Sequence, residues 1–199
     1  MKNEEYWKNH KADWVKSYWD TRDHPHRALI LEKLKKIRCG SLCEIGCNCG
    51  PNLSRIKEAF PAIQIGGMDI NPTAIETAKK LLPNGNFDVS NAEDIFLSDR
   101  SVDVVLTDAC LIYVRPHKIK EVIKEIRRVV RNNVLFVEFH SKNPLIRLLL
   151  RLKGYYAYNY EKLLDKYDFW DIKIEKIPKG SWPDSKGWER FGYIISAKK

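Results

Sequence analysis

The sequence predicts an α/β fold in which a mostly parallel, doubly wound sheet is flanked by helices. Short apolar runs alternate with helical stretches from residue 41 onwards, and this alternation is typical of parallel strands joined by crossover helices. The last two apolar runs, 171–177 and 190–197, are joined by a polar loop and therefore predict an antiparallel pair at one edge. The chain has 199 residues, of which 44% are hydrophobic, enough for one domain with a full core.

Residues 1–38 precede the alternating pattern and predict a helical cap. Trp7, Trp14, Tyr18 and Trp19 place large aromatic side chains on a polar segment, and Pro25 is suited to start a second helix. The charged N-terminus is not typical of a signal peptide, and no apolar run reaches the roughly 18 residues of a membrane-spanning helix. We therefore expect a cytoplasmic location.

The alternating region predicts five strands separated by helices. Two helices begin with a proline in the first turn, where the missing N–H costs nothing, and Asn71 is suited to cap the second of them. The chain then divides into a cap (1–38), a cofactor-binding core (39–142) and lid helices with the final strand pair (143–199). The predicted strands are 41–45, 63–70, 86–89, 102–107 and 134–139, and the predicted helices are 51–60, 72–82, 116–130 and, interrupted near Gly154, 143–169.

The cysteines do not predict a disulfide framework or a metal site. Their number is odd, which favours a reducing compartment. Three of them follow the spacing C-x3-C-x-C, but a structural zinc site would need a second ligand pair, which the sequence lacks. We expect small side chains in a tight turn instead and no bound metal. The five are Cys39, Cys43, Cys47, Cys49 and Cys110.

The turn after the first strand is suited to hold a ligand close to the backbone. Gly46 and Gly50 permit tight turning, and Asn48 tolerates a left-handed conformation. The pattern is not G-x-G-x-x-G, so a pyrophosphate cofactor is disfavoured. Ligands of such sheets bind at the carboxyl ends of the strands, which is where this turn lies.

Carboxylates follow the next two strands at the same edge. Asp69 lies 23 positions after Gly46, a distance suited to one strand–helix–strand step and to the hydroxyls of a ribose. After the third strand, Glu93 and Asp94 could accept a hydrogen bond from an adenine amino group. Asp94 could instead be an acid at a helix N-terminus. In this order, the signals predict a site for a nucleoside-containing ligand.

These residues resemble the motifs of the class I S-adenosylmethionine-dependent methyltransferases over nearly the whole chain. Glu44-x-Gly46-x-Asn48-x-Gly50 is similar to the family's first motif, E/D-x-G-x-G-x-G, with Asn48 at the middle glycine. Asp69 matches the ribose-binding acid, Ala92-Glu93-Asp94 resembles the adenine-side motif, and the residues from Asp108 to Val114 resemble the motif after the fourth strand.

The resemblance implies a Rossmann-like, seven-stranded sheet of order 3-2-1-4-5-7-6 with strand 7 antiparallel, and S-adenosyl-L-methionine as cofactor. It is strongest with the small-molecule branch sometimes labelled type 11. Tyr18 of the cap could cover the cofactor's sulfonium, since aromatic faces attract cations. The cofactor residues that the resemblance implies are Glu44, Gly46, Cys47, Asn48, Gly50, Asp69, Ile70, Ala92, Glu93, Asp94 and Asp108.

Methyl transfer depends mainly on orientation and exclusion of water, and it needs a general base only if the acceptor must lose a proton. His140 after the fifth strand and Tyr113 after the fourth are our candidates for catalysis; His140 could instead be a capping or surface residue. For acceptor binding the candidates are His24, Tyr156, Tyr158 and Arg147. His26 flanks Pro25 together with His24 and could take its place, and the two tyrosines belong to a cluster with Tyr155 and Tyr160. The loop that holds Trp182 and Trp188 could fold over the pocket or cover the edge of the core.

The charge is uneven, and it leaves several acceptors open. The chain carries a net +9, and residues 115–153 hold 11 basic and 3 acidic side chains. An acidic small molecule is the acceptor we expect. RNA is the first alternative, although no base-reading motif accompanies the charge. A lipid-facing enzyme docked through the basic amphipathic segment 144–153 and a catalytically inactive binding module are the others. The sequence does not indicate an oligomeric state.

Overall fold

The computed structural model describes residues 4–183 and 185–199, which form one sheet of seven strands in the order β3-β2-β1-β4-β5-β7-β6. Strands β1 to β5 are parallel, and β7 pairs antiparallel with both β5 and β6. The predicted fold class and strand order are therefore confirmed. The strands are β1 Ser41–Ile45, β2 Gln64–Asp69, β3 Asn86–Val89, β4 Val102–Asp108, β5 Val130–Phe139, β6 Trp170–Lys176 and β7 Gly192–Lys198.

Helices cover both faces of the sheet. Strands β1 and β4 lie in its centre and are buried along almost their whole length, as expected for strands covered on both faces. The apolar stripe of α5 is buried against one of these faces, as its spacing predicted. The helices are α1 Glu4–Asn9, α2 His26–Leu34, α3 Pro51–Ala59, α4 Pro72–Leu81, α5 Ile119–Val129, α6 Pro144–Leu152, α7 Tyr160–Asp165 and α8 Lys186–Phe191.

Several boundaries differ from the sequence prediction. The predicted helical stretch 143–169 forms two short helices, α6 and α7, with residues 153–159 between them. The predicted loop 178–189 contains the start of α8, because the hydroxyl of Ser185 accepts a hydrogen bond from Trp188 N and caps a short helix. Consequently β7 begins at Gly192 rather than at residue 190. Strand β5 starts at Val130, immediately after α5, four residues before the predicted start at residue 134.

Residues 4–19, which we call the N-terminal strap, lie across the carboxyl ends of the central strands. The side chain of Asn71 caps α4 through its oxygen and donates to Trp7 O and His10 O through its nitrogen, both at 2.8 Å. Trp14 Nε1 donates to Thr73 Oγ1 at 2.9 Å. The strap is thereby attached to the first turn of α4.

Within the part of the chain that the structure describes, no helix is both long enough and apolar enough to cross a membrane. The amphipathic helix α6 has nine residues, less than half of the about 20 that a membrane span requires.

Candidate active site

A cavity of about 1120 Å³ opens at the carboxyl ends of β1, β2 and β4, below the N-terminal strap. Its volume exceeds the range of about 300–1,000 Å³ that is usual for one small ligand, so it has room for a nucleoside cofactor and a second molecule. The loops after the strands form one half. Aromatic side chains from the strap and from the segment before α8 form the other.

The turn after β1 forms part of the cavity wall, and at Gly46 only backbone faces the cavity. Gly46 has φ +74°, and a Cβ at this position would lie 2.5 Å from Cys110 Sγ. Asn48 has φ +55°, the left-handed conformation that its residue type tolerates. Backbone N–H groups of Gly46 and Cys47 donate to Met68 O at 2.8 and 2.9 Å, which fixes the turn against β2.

The cysteines of this turn have a packing role. Among the described residues all five cysteines are free thiols. Burial raises the pKa of Cys43 and of Cys49 to about 12, so their thiolates are scarce at neutral pH. The Cys47 side chain fills the space beside Gly67, where a Cβ would approach its sulfur to 2.7 Å.

Asp69 lies at the end of β2 and presents its carboxylate to the cavity. Its two oxygens accept hydrogen bonds from Asn48 N and Asn71 N, each at 2.9 Å. Burial raises the pKa of Asp69, and the backbone donors lower it in part. Each oxygen can accept a further hydrogen bond, which is the arrangement required to hold two neighbouring hydroxyls.

A polar network joins β1, α3, β4 and the cap at the bottom of the cavity. Asn52 Nδ2 donates to Glu44 Oε1 at 2.6 Å and to Asp108 Oδ2 at 2.9 Å. His26 Nε2 lies 2.8 Å from the same oxygen of Asp108. Among the described residues, Glu44 Oε2, Asn52 Oδ1 and Asp108 Oδ1 are buried without a hydrogen-bond partner in the chain.

These unpartnered oxygens indicate what the network can receive. Buried acceptors are costly unless a donor reaches them. Burial also raises the pKa of Glu44 far above its usual range, a direction that a cationic ligand would oppose. Burial raises the pKa of Asp108 as well, but His26, Asn52 and Arg27 outweigh it and lower the pKa below its usual value. The site therefore fits a ligand with a protonated amino group, such as S-adenosylmethionine.

An aromatic wall faces this network. The rings of Trp182 and Trp188 are parallel within 5° at a centroid distance of 4.0 Å, and the ring of His26 stacks on Trp182 at 3.9 Å. His24 Nδ1 lies 2.5 Å from His26 Nδ1, and both histidines line the cavity. The wall thus provides a flat apolar surface next to titratable nitrogen atoms.

The strap closes the other side of the cavity, next to the third strand. Lys118 Nζ bridges Glu4 Oε2 and Glu93 Oε2 at 2.6 and 2.5 Å, and Asn91 donates to Glu4 Oε1. Ala92 and Glu93 line the cavity here. Asp94, the other acid considered for an adenine amino group, does not line it.

The structure places most of the proposed cofactor residues together. Gly50 lies outside the lining with φ +85° at the start of α3, and Asp94 is the other exception. Tyr18 lines the cavity from the strap and stacks on Trp14. The proposed cofactor residues in the cavity lining are Glu44, Gly46, Cys47, Asn48, Asp69, Ile70, Ala92, Glu93, Asp108 and Tyr18.

The residues proposed for catalysis and acceptor binding separate into two groups. Tyr113 and His24 line the cavity, and burial raises the pKa of the Tyr113 hydroxyl. His140 lies outside the lining: its Nδ1 accepts from Tyr160 N at 3.3 Å, and burial together with the charge of Lys142 lowers its pKa to about 4. The others outside the lining are Tyr156, Tyr158 and Arg147.

Sequence reasoning did not include several side chains of the site. Of the tyrosines that follow Gly154, Tyr155 lines the cavity, whereas Tyr156 and Tyr158 do not; Lys153, which the sequence did not single out, also lines it. His26 and the loop with Trp182 and Trp188 were considered from the sequence, and the structure places all three side chains in the cavity lining. Asn52 and Arg27 follow no motif in the sequence, and only the fold brings them to the cavity.

Comparisons with known proteins agree with this architecture. Residues 42–133 match the family model described as a methyltransferase domain. A trans-aconitate 2-methyltransferase from Variovorax paradoxus is 24% identical over 110 residues, which are 53% of this chain and 42% of that protein. A malonyl-[acyl-carrier protein] O-methyltransferase from Ilyobacter polytropus is 33% identical over 72 residues, which are 35% of this chain and 26% of that protein. The chain thus spans less than half the length of both.

The fold is shared with solved structures over nearly the whole chain. The plantazolicin methyltransferase BpumL, solved in complex with SAH, superposes with a TM-score of 0.69 at 17% identity. The match covers 98% of this chain and 93% of that protein. At this level of identity the likeness concerns the fold.

Proposed function

We propose that this chain transfers a methyl group from S-adenosylmethionine to a small-molecule acceptor. The match of residues 42–133 to a methyltransferase-domain family model and the fold shared with a solved methyltransferase support the proposal. The observation that carries the proposal is the combination, in one cavity, of the left-handed turn at Gly46 and Asn48, the carboxylate of Asp69 and three unpartnered buried oxygens. The relative named for trans-aconitate supports an acceptor of low mass, and the names of both relatives describe acceptors that bear carboxyl groups.

Different residues of the cavity hold different parts of the cofactor. S-adenosylmethionine, when bound, supplies a methyl group activated by a sulfonium. Asp69 accepts hydrogen bonds from the ribose hydroxyls, and Glu93 lies where the adenine end would be held. Glu44, Asn52 and Asp108 receive the amino group of the amino-acid part, since an ammonium has three donors for their three free oxygens. The glycine turn lets the backbone approach the cofactor closely.

The acceptor lies in the part of the cavity that the histidine pair and the tryptophan wall line together. Asp108 accepts from His26 Nε2, so the Nδ1 atoms of His26 and His24 face one another and can hold a proton that an O–H or N–H acceptor releases. The carboxylate of Asp108 stabilises the resulting positive charge. Trp182 and Trp188 orient the acceptor and exclude water, while Arg27 and Lys153 in the lining favour a substrate with an acidic group.

The test is the fate of a radioactive methyl group. The protein is incubated with S-adenosylmethionine labelled in its methyl group and with a cell extract separated into a low-mass fraction and a polymer fraction. Label is expected in the low-mass products. Changing His26→Asn should reduce the initial rate by about 100-fold or more, because general-base assistance has this magnitude. His117→Asn, an exposed histidine outside the cavity, is the matched control and should leave the rate unchanged.

Label that enters RNA or protein instead would contradict the proposed acceptor class. Equal rates for the wild type and His26→Asn would remove the histidine pair from the mechanism while leaving the cofactor site in place.

A further inference from the structure

Helix α6 exposes an apolar face that the active site does not use. Four leucines at spacings of three and four residues leave large fractions of their surface in contact with solvent: Leu145 (67%), Leu148 (53%), Leu149 (58%) and Leu152 (74%). Residues three and four apart share one face of a helix, so these side chains form a continuous stripe. The opposite face is anchored, because Leu150 is buried and Ile146 packs against the core.

The stripe is surrounded by positive charge. Residues 139–160 contain four basic side chains and no acidic one: Lys142, Arg147, Arg151 and Lys153. Arg151 and Lys153 are exposed next to the leucines. Lys142 pairs with Glu161, and Arg147 Nη1 donates to Ser141 O at 3.2 Å. An exposed leucine stripe with basic neighbours is the pattern of a helix that lies in the plane of a membrane interface.

The positive charge also indicates whether a second copy of the chain or a lipid surface binds the exposed face of α6. A symmetric contact between two copies would bring the exposed cations Arg151 and Lys153 of each chain towards those of the other, and like charges at a contact oppose association. An anionic lipid surface attracts each of them, and long basic side chains can reach headgroups while the leucines enter the acyl boundary. The charge complementarity therefore favours lipid.

We propose that α6 docks this protein on an anionic lipid bilayer, with Leu145, Leu148, Leu149 and Leu152 in the acyl boundary and Arg151 and Lys153 at the headgroups. Leu150 and Lys153 of the same segment line the active-site cavity, so docking places the cavity next to the bilayer. Docking on the bilayer does not depend on the proposed methyl transfer. If both occur, the acceptor is an amphiphilic molecule that enters the cavity from the bilayer.

The experiment is co-sedimentation of the full chain with vesicles of phosphatidylcholine, with and without phosphatidylglycerol. The chain should bind the anionic vesicles, and binding should weaken as salt rises. The double variant Leu148→Ser with Leu152→Ser should lower the partition coefficient at least tenfold. Arg151→Gln with Lys153→Gln should lower it by a similar factor, since each basic side chain near an anionic surface contributes about fivefold.

Trp170→Ser is the matched control. Trp170 is also a large, exposed apolar side chain beside a lysine, Lys198, but it lies on edge strand β6. This variant should bind vesicles like the wild type. Thermal unfolding of each variant is the control for folding. A midpoint close to that of the wild type shows that a loss of vesicle binding is not caused by unfolding.

Three results would overturn the proposal. The wild type could fail to bind anionic vesicles, it could bind neutral vesicles equally well, or the leucine variant could bind as tightly as the wild type. Sedimentation equilibrium without lipid adds a further one: a dimer that the leucine variant abolishes would assign the stripe to a second copy of the chain.

Discussion

At the scale of single residues, Asp69 and Asp108 differ in how far the sequence could assign them. Asp69 makes its contacts with Asn48 and Asn71, which lie near it in the sequence, so its place at the end of a strand and its spacing from Gly46 could propose it. Asp108 was proposed from the resemblance to the motif after the fourth strand, but its partner His26 lies 82 residues earlier in the chain. A contact of that range depends on how the cap packs on the sheet, which no local pattern contains.

His140 illustrates how burial changes the role of a titratable residue. Its neutral ring accepts the N–H of Tyr160 through Nδ1, and Lys142 and Arg147 nearby also disfavour its protonation. The pKa is about 4 in the folded chain and about 6.5 in the unfolded chain, so between these values the unfolded chain binds more protons. We therefore expect the free energy of unfolding to decrease as pH falls from 6.5 to 4, by about 2–3 kcal/mol from this residue.

The measurement is urea unfolding at pH 7 and pH 5, for the wild type and for His140→Asn. The asparagine carbonyl can still accept the Tyr160 N–H but does not titrate, so this variant should lose less stability on acidification. An identical decrease in both proteins would show that other groups account for the pH dependence.

At the scale of elements, Asn71 both caps helix α4 and holds the N-terminal strap that closes the cavity. Its oxygen caps α4, and its nitrogen holds the strap through Trp7 O and His10 O. Changing Asn71→Asp preserves the cap, since aspartate caps helices as well as asparagine does, but replaces the donor by an oxygen facing two carbonyls. The fold should remain stable while the strap opens.

Limited proteolysis detects this opening. Cleavage between residues 7 and 16 should become at least several-fold faster in Asn71→Asp, with little change in the unfolding midpoint. In Asn71→Ala, both the cap and the strap contacts are lost, so the midpoint should also fall. Unchanged cleavage in Asn71→Asp would mean that Trp14 and Lys118 hold the strap without Asn71.

The sequence predicted the order and type of the central elements because their apolar periods are strong. After residue 143 the prediction from the sequence was less accurate. There the outcome depends on single residues. Gly154, at φ +86°, ends the helical region and lets residues 155–159 run extended, and the Ser185 cap starts α8 in a segment rich in loop-forming residues. These local features decide which tyrosines and tryptophans reach the cavity.

At the scale of the whole molecule, the fold divides the basic stretch 115–153 into two parts. Arginines of the first part hold the chain together: Arg127 donates to Tyr167 O, Arg128 pairs with Glu125 and Asp99, and Arg131 pairs with Asp103. In the second part, Lys142 pairs with Glu161, whereas Arg151 and Lys153 are exposed beside the leucines of α6. The distribution of charge therefore supports the proposed contact of α6 with an anionic lipid surface more than it supports binding of a nucleic acid along α5.

The central claim is that the cavity binds S-adenosylmethionine through Asp69, and isothermal titration with S-adenosylhomocysteine tests it most directly. We predict binding of one molecule per chain by the wild type. Asp69→Asn should bind about 10 to 100 times more weakly, because it loses hydrogen bonds to a charged acceptor. Asp88→Asn, an acid of β3 outside the cavity, should bind like the wild type. No binding by the wild type, or equal affinity in Asp69→Asn, would contradict the claim.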